Sequence, residues 1–395
     1  MAERQGRPGV TSRTTDVLVI GGGPAGATAA FQLASAGIPV TVIDRAIFPR
    51  DKPCGESLSP GAIRRLQDIA MWPAPPNVTA PGHPVKGMRI RSPRGTAFFG
   101  RYKTVGPPGH VIRRVAFDAQ LLDCARARGA RVVEGVEALA AQTSADGATV
   151  DCRSVDGGQR LRMTARRVVV ADGRRSFIGR ALGFIETTKA SRQSARFAVR
   201  VHFDHVSGLS EFAEMHVGEG GYCGIAPLSG TSANICYVLF TDRLDMTPAT
   251  IEPDVRRHLS AYPEIAARLR AARVCGPIRI VGPLRIRSQR QAVGPFIACG
   301  DTTGFLDPFT GEGIAHAIAS AGLGAEAVRA SLHGRSDAFS AYERRIRDLR
   351  RVKSGAALLL YGLVSRRALA NAAASVFAAL PGLGDAAVRL FGDQV

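Results

Sequence analysis

The chain has 395 residues, 45% of them hydrophobic, and 52 Lys and Arg against 33 Asp and Glu, a net charge of +19. That length fits two or three domain-sized units with a substantial core. Seven scattered cysteines, an odd number with no CxxC pair, argue against a disulfide framework or a zinc site and fit a reducing cytosol. The basic residues are not interleaved with aromatics in any nucleic-acid module, so they read as a solvated surface that also steers phosphate-bearing cofactors. No apolar run approaches the roughly 20 residues of a membrane-spanning helix.

Residues 1–14 read as a polar tail, and the first thirteen lack the apolar stretch of a secretory signal. Asp16 to Ile20, DVLVI, predicts a buried strand. Pro24 to Gly37 predicts a helix with Pro in its first turn, where a missing N–H costs nothing. Between them Gly21-x-Gly23-x-x-Gly26 is a dinucleotide fingerprint. The first glycine makes the tight turn, the second lets backbone approach a pyrophosphate, and the third lets helix and strand pack closely. The pyrophosphate would rest on the free N–H groups of the helix N-terminus. A second strand, Pro39 to Ile43, ends in Asp44, placed to accept hydrogen bonds from a ribose. Arg45 follows it, toward adenine or a phosphate or simply solvent. NAD, NADP and FAD all use such a turn, and the rest of the chain must decide among them.

Residues 85–101 predict a hairpin turning at Ser92-Pro93-Arg94-Gly95. Alternating stretches from Ser194 to Asp242 predict an antiparallel sheet. His202 and His205 would face opposite sides of one strand, so they make no metal pair. Glu252 to Ala271 reads as helix and Gly276 to Arg287 as strand. Two further strands end in a Gly and Asp pair, in RVVVADGRRSFIG from Arg167 and FIACGDTTGFLDPFTGEG from Phe296. A flavin dinucleotide needs such contacts from distant segments. Asp301 is placed for ribityl hydroxyls, and a helix starting near Gly311 would aim its positive end at reduced flavin. Gly311 and Gly313 let the ring lie close to backbone. No second complete fingerprint follows a strand, so NAD(P)H would dock transiently or another protein would supply electrons. The last sixty residues are helical. Ala341 to Lys353 carries a basic face and an apolar stripe, which reads as a packed cap, a membrane-surface element or a tunnel wall.

GGGPAG, ADG and CGDTTGFLDPFTGEG together resemble the para-hydroxybenzoate hydroxylase superfamily, with its glutathione-reductase-type FAD fold. DKPCGESLSPGAIRRL and GFLDPFTGEGI are similar to its geranylgeranyl reductase and halogenase-like branch. The resemblance spans roughly Asp16 to Leu332. It implies an α/β fold with a discontinuous FAD-binding domain (15–84, 102–190 and 289–335), a β-sheet substrate domain (85–101 and 191–288) and a helical C-terminal region (336–395). FAD contacts are implied at Gly21, Gly23, Ala25, Gly26, Asp44, Arg45, Arg114, Val136, Asp172, Gly173, Asp301, Pro308, Gly311 and Gly313. One departure is that Arg180 falls one place later after Ser176 than the family pattern, which weakens a pyridine-nucleotide role for it.

Cys54 and Glu56 would lie beside the isoalloxazine, Cys54 as a tuning or substrate contact and Glu56 as a proton carrier. Each has a plainer reading, a small buried residue for Cys54 and a helix-leading acid for Glu56. Tyr222, Gly224, Ala226 and Pro227 would border the substrate. Gly224 stands where halogenases and geranylgeranyl reductases carry Trp, and Ala226 where halogenases carry Ile and the reductases Phe, which implies an enlarged cavity and disfavours halogenation. The reaction expected is NAD(P)H-driven hydroxylation of an apolar aromatic or polyketide-like molecule. The alternatives are reduction of isoprenoid double bonds or electron relay at a membrane. The expected partners are a small apolar substrate and no nucleic acid. The expected location is the cytoplasm, with peripheral membrane contact through the C-terminal helices as a further reading.

Overall fold

The computed structural model describes residues 11–72, 82–186, 196–241, 250–305 and 308–392. Residues 191–195, at the start of the expected substrate domain, and 306–307, within the third motif, lie outside them.

A parallel sheet forms the first layer. Its strands run in the order Phe296–Ala298, Arg160–Val170, Thr11–Ile20, Val40–Asp44 and Arg131–Glu134. Val17 to Ile20 and Val168 to Val170 are almost wholly buried, which is why these segments read as continuous apolar runs rather than alternating ones. The first strand begins at Thr11, so residues 11–14 belong to the sheet, not to a tail. An antiparallel pair, Val136–Ser144 and Gly147–Ser154, is added along Arg160–Val170.

Helices Pro24–Ser35, Arg114–Ala127 and Gly313–Leu332 cover one face. They bury Phe31, Leu121, Leu122, Ile318 and Val328 in a common core. Small residues dominate Pro24–Ser35 because the helix lies close to the strand before it. A Cβ on Gly26 would come within 1.8 Å of the Gly21 carbonyl oxygen.

The second layer is a sheet of eight strands. Phe197–Asp204, Ala233–Leu239, Gly221–Pro227 and Ala213–Gly218 lie in that order, and the hairpin Gly87–Arg91 and Ala97–Arg101 extends it. The hairpin turns where expected, with Gly95 N–H donating to the Ser92 carbonyl. It joins parallel to Ala213–Gly218, a long-range pairing that local pattern does not disclose. Helices Ile251–Ser260 and Pro263–Arg268 back this sheet. The single helix expected over 252–271 breaks at Tyr262, before Pro263. The strand expected over 276–287 is reduced to Arg279–Val281.

The chain closes with helices Ala338–Val364, Arg367–Ala379 and Pro381–Gly392. The last two return to the hairpin. Phe377 stacks on Phe98 with centroids 4.8 Å apart, and Asp385 Oδ1 accepts the Arg101 N–H at 2.8 Å. The last helix crosses the strand where neither carries a side chain, Gly384 over Gly100. A Cβ on Gly100 would meet Val388 Cγ2 at 2.2 Å and the Gly384 carbonyl at 2.5 Å. Gly100→Ala is therefore expected to undock this helix at a cost of about 1–3 kcal/mol. Hydrogen exchange should accelerate in residues 381–392 while bound flavin is retained.

Candidate active site

The glycine turn leaves strand Thr11–Ile20 and enters helix Pro24–Ser35. Gly21 takes φ +101°, and a Cβ there would meet the Ala171 carbonyl at 2.6 Å, so the turn and the second motif are in backbone contact. Asp44 accepts from the N–H groups of Gly22 (2.7 Å) and Ala46 (2.8 Å). Its carboxylate closes the turn, and each oxygen keeps a second acceptor position for a ribose hydroxyl. Arg45 is exposed. Val136 opens a strand of its own after the turn at Gly135.

Two of the cations of this crevice come from a segment the fingerprint does not include. A Cβ on Gly23 would lie 3.3 Å from Arg50 Nη2, so Arg50 stands over the turn. Arg50 pairs with Asp118 at 2.6 Å. Arg114 grips the same carboxylate through Nε (2.6 Å) and Nη2 (2.7 Å). Burial alone would lower the Arg114 pKa, but Asp118 and Cys54 outweigh it and raise it further. Lys52 Nζ lies 3.1 Å from where a Gly173 Cβ would be. Burial first, then Arg114, holds the Lys52 ammonium below its ordinary range, and Asp301 opposes them. Three cations thus meet beside the helix N-terminus, a charge balance that suits a pyrophosphate. The signal in the sequence was Arg50-Asp51-Lys52, charges packed directly after the second strand. Sequence reasoning passed over Arg50 and Lys52.

Asp172 is enclosed, and its Oδ1 has no hydrogen-bond partner. Burial, only partly offset by a hydrogen bond from Ser176, pushes its pKa up to about 6. Gly300 carries φ +64° beside Asp301, and its N–H donates to Ser320 Oγ at 2.9 Å, which holds the third motif on helix Gly313–Leu332. That helix starts two residues past Gly311, with Gly313 at its first turn.

The DKPCGE segment crosses from this crevice to the second sheet. Glu56 takes φ +60°, a left-handed conformation unusual for a side chain of this kind. Its Oε1 accepts the Arg114 N–H at 2.9 Å, and its Oε2 accepts from His202 Nε2 at 2.7 Å and Asn234 Nδ2 at 2.9 Å. His202 Nδ1 faces Arg200 (2.8 Å) and Arg113 (3.1 Å). Arginine only donates, so the His202 proton must sit on Nε2. Arg200 in turn grips Asp51 at 2.6 Å. Glu56 is therefore a pin with three donors on it. His202 is buried within this network, whereas His205 is exposed past the strand end. Cys54 Sγ accepts the Glu56 N–H at 3.3 Å and neighbours Arg114.

Beyond that loop lies a largely apolar cavity that opens to solvent. Met88, Ile90, Phe98 and Met215 of the second sheet wall one side, and Phe309 of the third motif and Val388 of the last helix another. Gly224 and Ala226 line it, as do Pro308 and Gly311. Tyr222 and Pro227 do not. Tyr222 packs edge-on to Phe309 at 5.0 Å, beside the cavity, and Pro227 faces the other side of its strand by alternation. Gly55 brings the loop to the cavity edge, so cofactor crevice and cavity adjoin.

These residues fit one long dinucleotide: a glycine turn with no room for side chains, a cationic crevice, an Asp172 whose Oδ1 has no partner, and an apolar chamber at the far end. A family profile described as an FAD binding domain matches residues 14–349. The chain belongs to this FAD-binding family.

Among curated relatives, a protein named menaquinone reductase from Mycobacterium tuberculosis is 30% identical over 333 residues, covering 79% of this chain and 76% of the relative. A digeranylgeranylglycerophospholipid reductase from Methanothermobacter thermautotrophicus is 29% identical over 309 residues, covering 76% and 73%. Among solved structures, the flavin-dependent brominase Bmp2 superposes with a TM-score of 0.80 at 22% identity, covering 96% of this chain and 94% of that one. At that identity the likeness speaks for the fold alone. The protein is an FAD-dependent oxidoreductase.

Two outcomes check the crevice. A raised Asp172 pKa in the fold means that its contribution to stability is complete below the usual carboxylate range and lost as pH rises through about 6. In the FAD-free protein, Asp172→Asn should match the parent near pH 4 and exceed it by about 2–3 kcal/mol above pH 7 in urea titrations. Asp118→Asn strands Arg114 in a buried site without its counter-charge. It should lower stability by about 3–5 kcal/mol and weaken FAD binding in a fluorescence titration.

Proposed function

We propose that this flavoprotein reduces carbon–carbon double bonds in the isoprenoid chain of a lipid. The observation that carries this is the cavity, an apolar slot beside the flavin crevice, lined by the small residues Gly224 and Ala226 and walled by aliphatic and aromatic side chains. Such a chamber selects its occupant by shape and burial rather than by polar contacts. The names of the two reductase relatives support the same class of substrate. This reverses the order suggested by sequence, which put hydroxylation of an aromatic molecule first.

FAD, held by the glycine turn, Arg50, Lys52, Asp44 and Asp301, would supply the hydride when reduced. The protein must then hold the chain against the ring, exclude water from it and admit a proton. Aliphatic side chains from the sheet and the last helix do the first two. Cys236 lines the cavity and donates its S–H to the Cys54 carbonyl at 3.4 Å. Burial, then Cys54 and Glu56, raises its pKa well above the ordinary thiol value, so it stays a neutral wall group rather than the acid, and the proton would come from water at the cavity mouth. No second dinucleotide fingerprint follows a strand, so electrons would arrive from NAD(P)H docking transiently or from another protein.

The test is anaerobic turnover of a polyisoprenoid lipid in detergent, with mass spectrometry of the product. Gain of one H₂ per double bond is expected, without oxygen uptake under air. Gain of an oxygen atom, with substrate-dependent oxygen consumption, would overturn the proposal and restore hydroxylation. Gly224→Phe should fill the slot, since a Cβ there meets nothing closer than 3.7 Å. Turnover should fall by about tenfold or more with FAD still bound.

A further inference from the structure

We propose that helices Arg367–Ala379 and Pro381–Gly392 dock the protein onto an anionic phospholipid bilayer. Their inner face walls the cavity through Phe377, Ala387 and Val388. Their outer face is apolar and exposed. Leu369, Ala372 and Val376 recur at i, i+3 and i+7 on the first helix, and Leu383, Ala386 and Leu390 do so on the second. Leu380 at the bend is 54% exposed, Val376 51% and Leu383 46%. Large apolar side chains at this exposure, grouped on two adjoining helices, mark a contact surface. No single described helix is long and apolar enough to cross a membrane. These two together are apolar enough, but they turn on each other by 112°, so they suit lying in an interface.

Charge selects the occupant. Arg366 and Arg367 open the first helix, exposed, and Arg367 pairs with Glu219 of the turn before strand Gly221–Pro227. Exposed Arg94 and Arg101 border the pair from the hairpin, where their N–H groups donate to Asn371 and Asp385. Between residues 366 and 392 three arginines meet one aspartate, Asp385, which Arg389 pairs at 3.4 Å. A second copy of the chain on this face would set basic rim against basic rim across a two-fold axis, which is repulsive. An anionic lipid surface complements both the apolar stripe and its rim. The helices are one layer thick between cavity and exterior, so a lipid tail would have about one helix diameter of protein to pass.

This inference rests on the proposed lipid substrate, and its test is separable. The FAD-loaded full chain is floated with vesicles of phosphatidylcholine and phosphatidylglycerol, and with phosphatidylcholine alone. It should float with the anionic vesicles and lose partition as salt rises. The combined variant Leu380→Ser/Leu383→Ser/Leu390→Ser should partition at least about tenfold less, as should Arg366→Glu/Arg367→Glu. Both should keep FAD and the parent's melting temperature, and the leucine variant should still reduce a short prenyl substrate in detergent. A parent chain that stays with the buffer, or variants that float as well as the parent, would overturn the docking. A concentration-dependent dimer abolished by the leucine variant would also overturn it, because the second copy would then be the occupant. Flotation without any double-bond reduction would sink the reaction and leave the docking standing.

Discussion

The segment from Arg50 to Glu56 crosses between two sheets while carrying four charges, and it holds its place because three of them, Arg50, Asp51 and Glu56, are matched from other elements. Arg50 leans on Asp118 of the helix behind the cofactor crevice. Asp51 is held by Arg200 and Arg279 of the second sheet. Glu56 receives the Arg114 N–H from one side and His202 and Asn234 from the other. Buried charges persist only when paired and hydrogen-bonded, so these partners set where the two layers meet. The cofactor crevice and the cavity adjoin along this seam.

The seam divides the chemistry as well as the fold. On the crevice side are backbone donors, three cations and the enclosed Asp172, a setting for phosphates and hydroxyls. Across Gly55 the surroundings become aliphatic, and the polar groups present are spent on one another. His202 donates to Glu56, and His216 donates to a Glu214 that Arg268 also holds. A cavity whose polar neighbours are already satisfied presents an apolar guest with little competition from water. The C-terminal helices complete it from outside, through the crossing of Gly384 over Gly100 and the stack of Phe377 on Phe98.

The flavin half of the protein was legible in the sequence because its constraints are local. A strand, a turn that admits no side chain, and a helix of small residues lie within some twenty-five positions, and the residue types follow directly from backbone geometry. The same holds for the hairpin, whose turn chemistry is confined to Ser92–Gly95. The break at Tyr262 was signalled by Pro263 and passed over, since helical composition continues on both sides.

What only the tertiary structure decided depends on residues far apart in the chain. Glu56 read as a proton carrier or as an acid leading a helix, and nothing nearby revealed that His202 and Asn234 would bind it. Tyr222 and Pro227 share a strand with Gly224 and Ala226, yet only the latter two line the cavity. Strand alternation turns Pro227 away, and packing on Phe309 takes up Tyr222. The pairing of Gly87–Arg91 with Ala213–Gly218, and of the last helix with Gly100, closed the cavity over separations of more than a hundred residues. The sequence by itself determined the cofactor and the turn that binds it, because backbone sterics act over a few residues. The shape of the substrate chamber was decided by folding, because it is a volume enclosed by side chains from several distant segments at once.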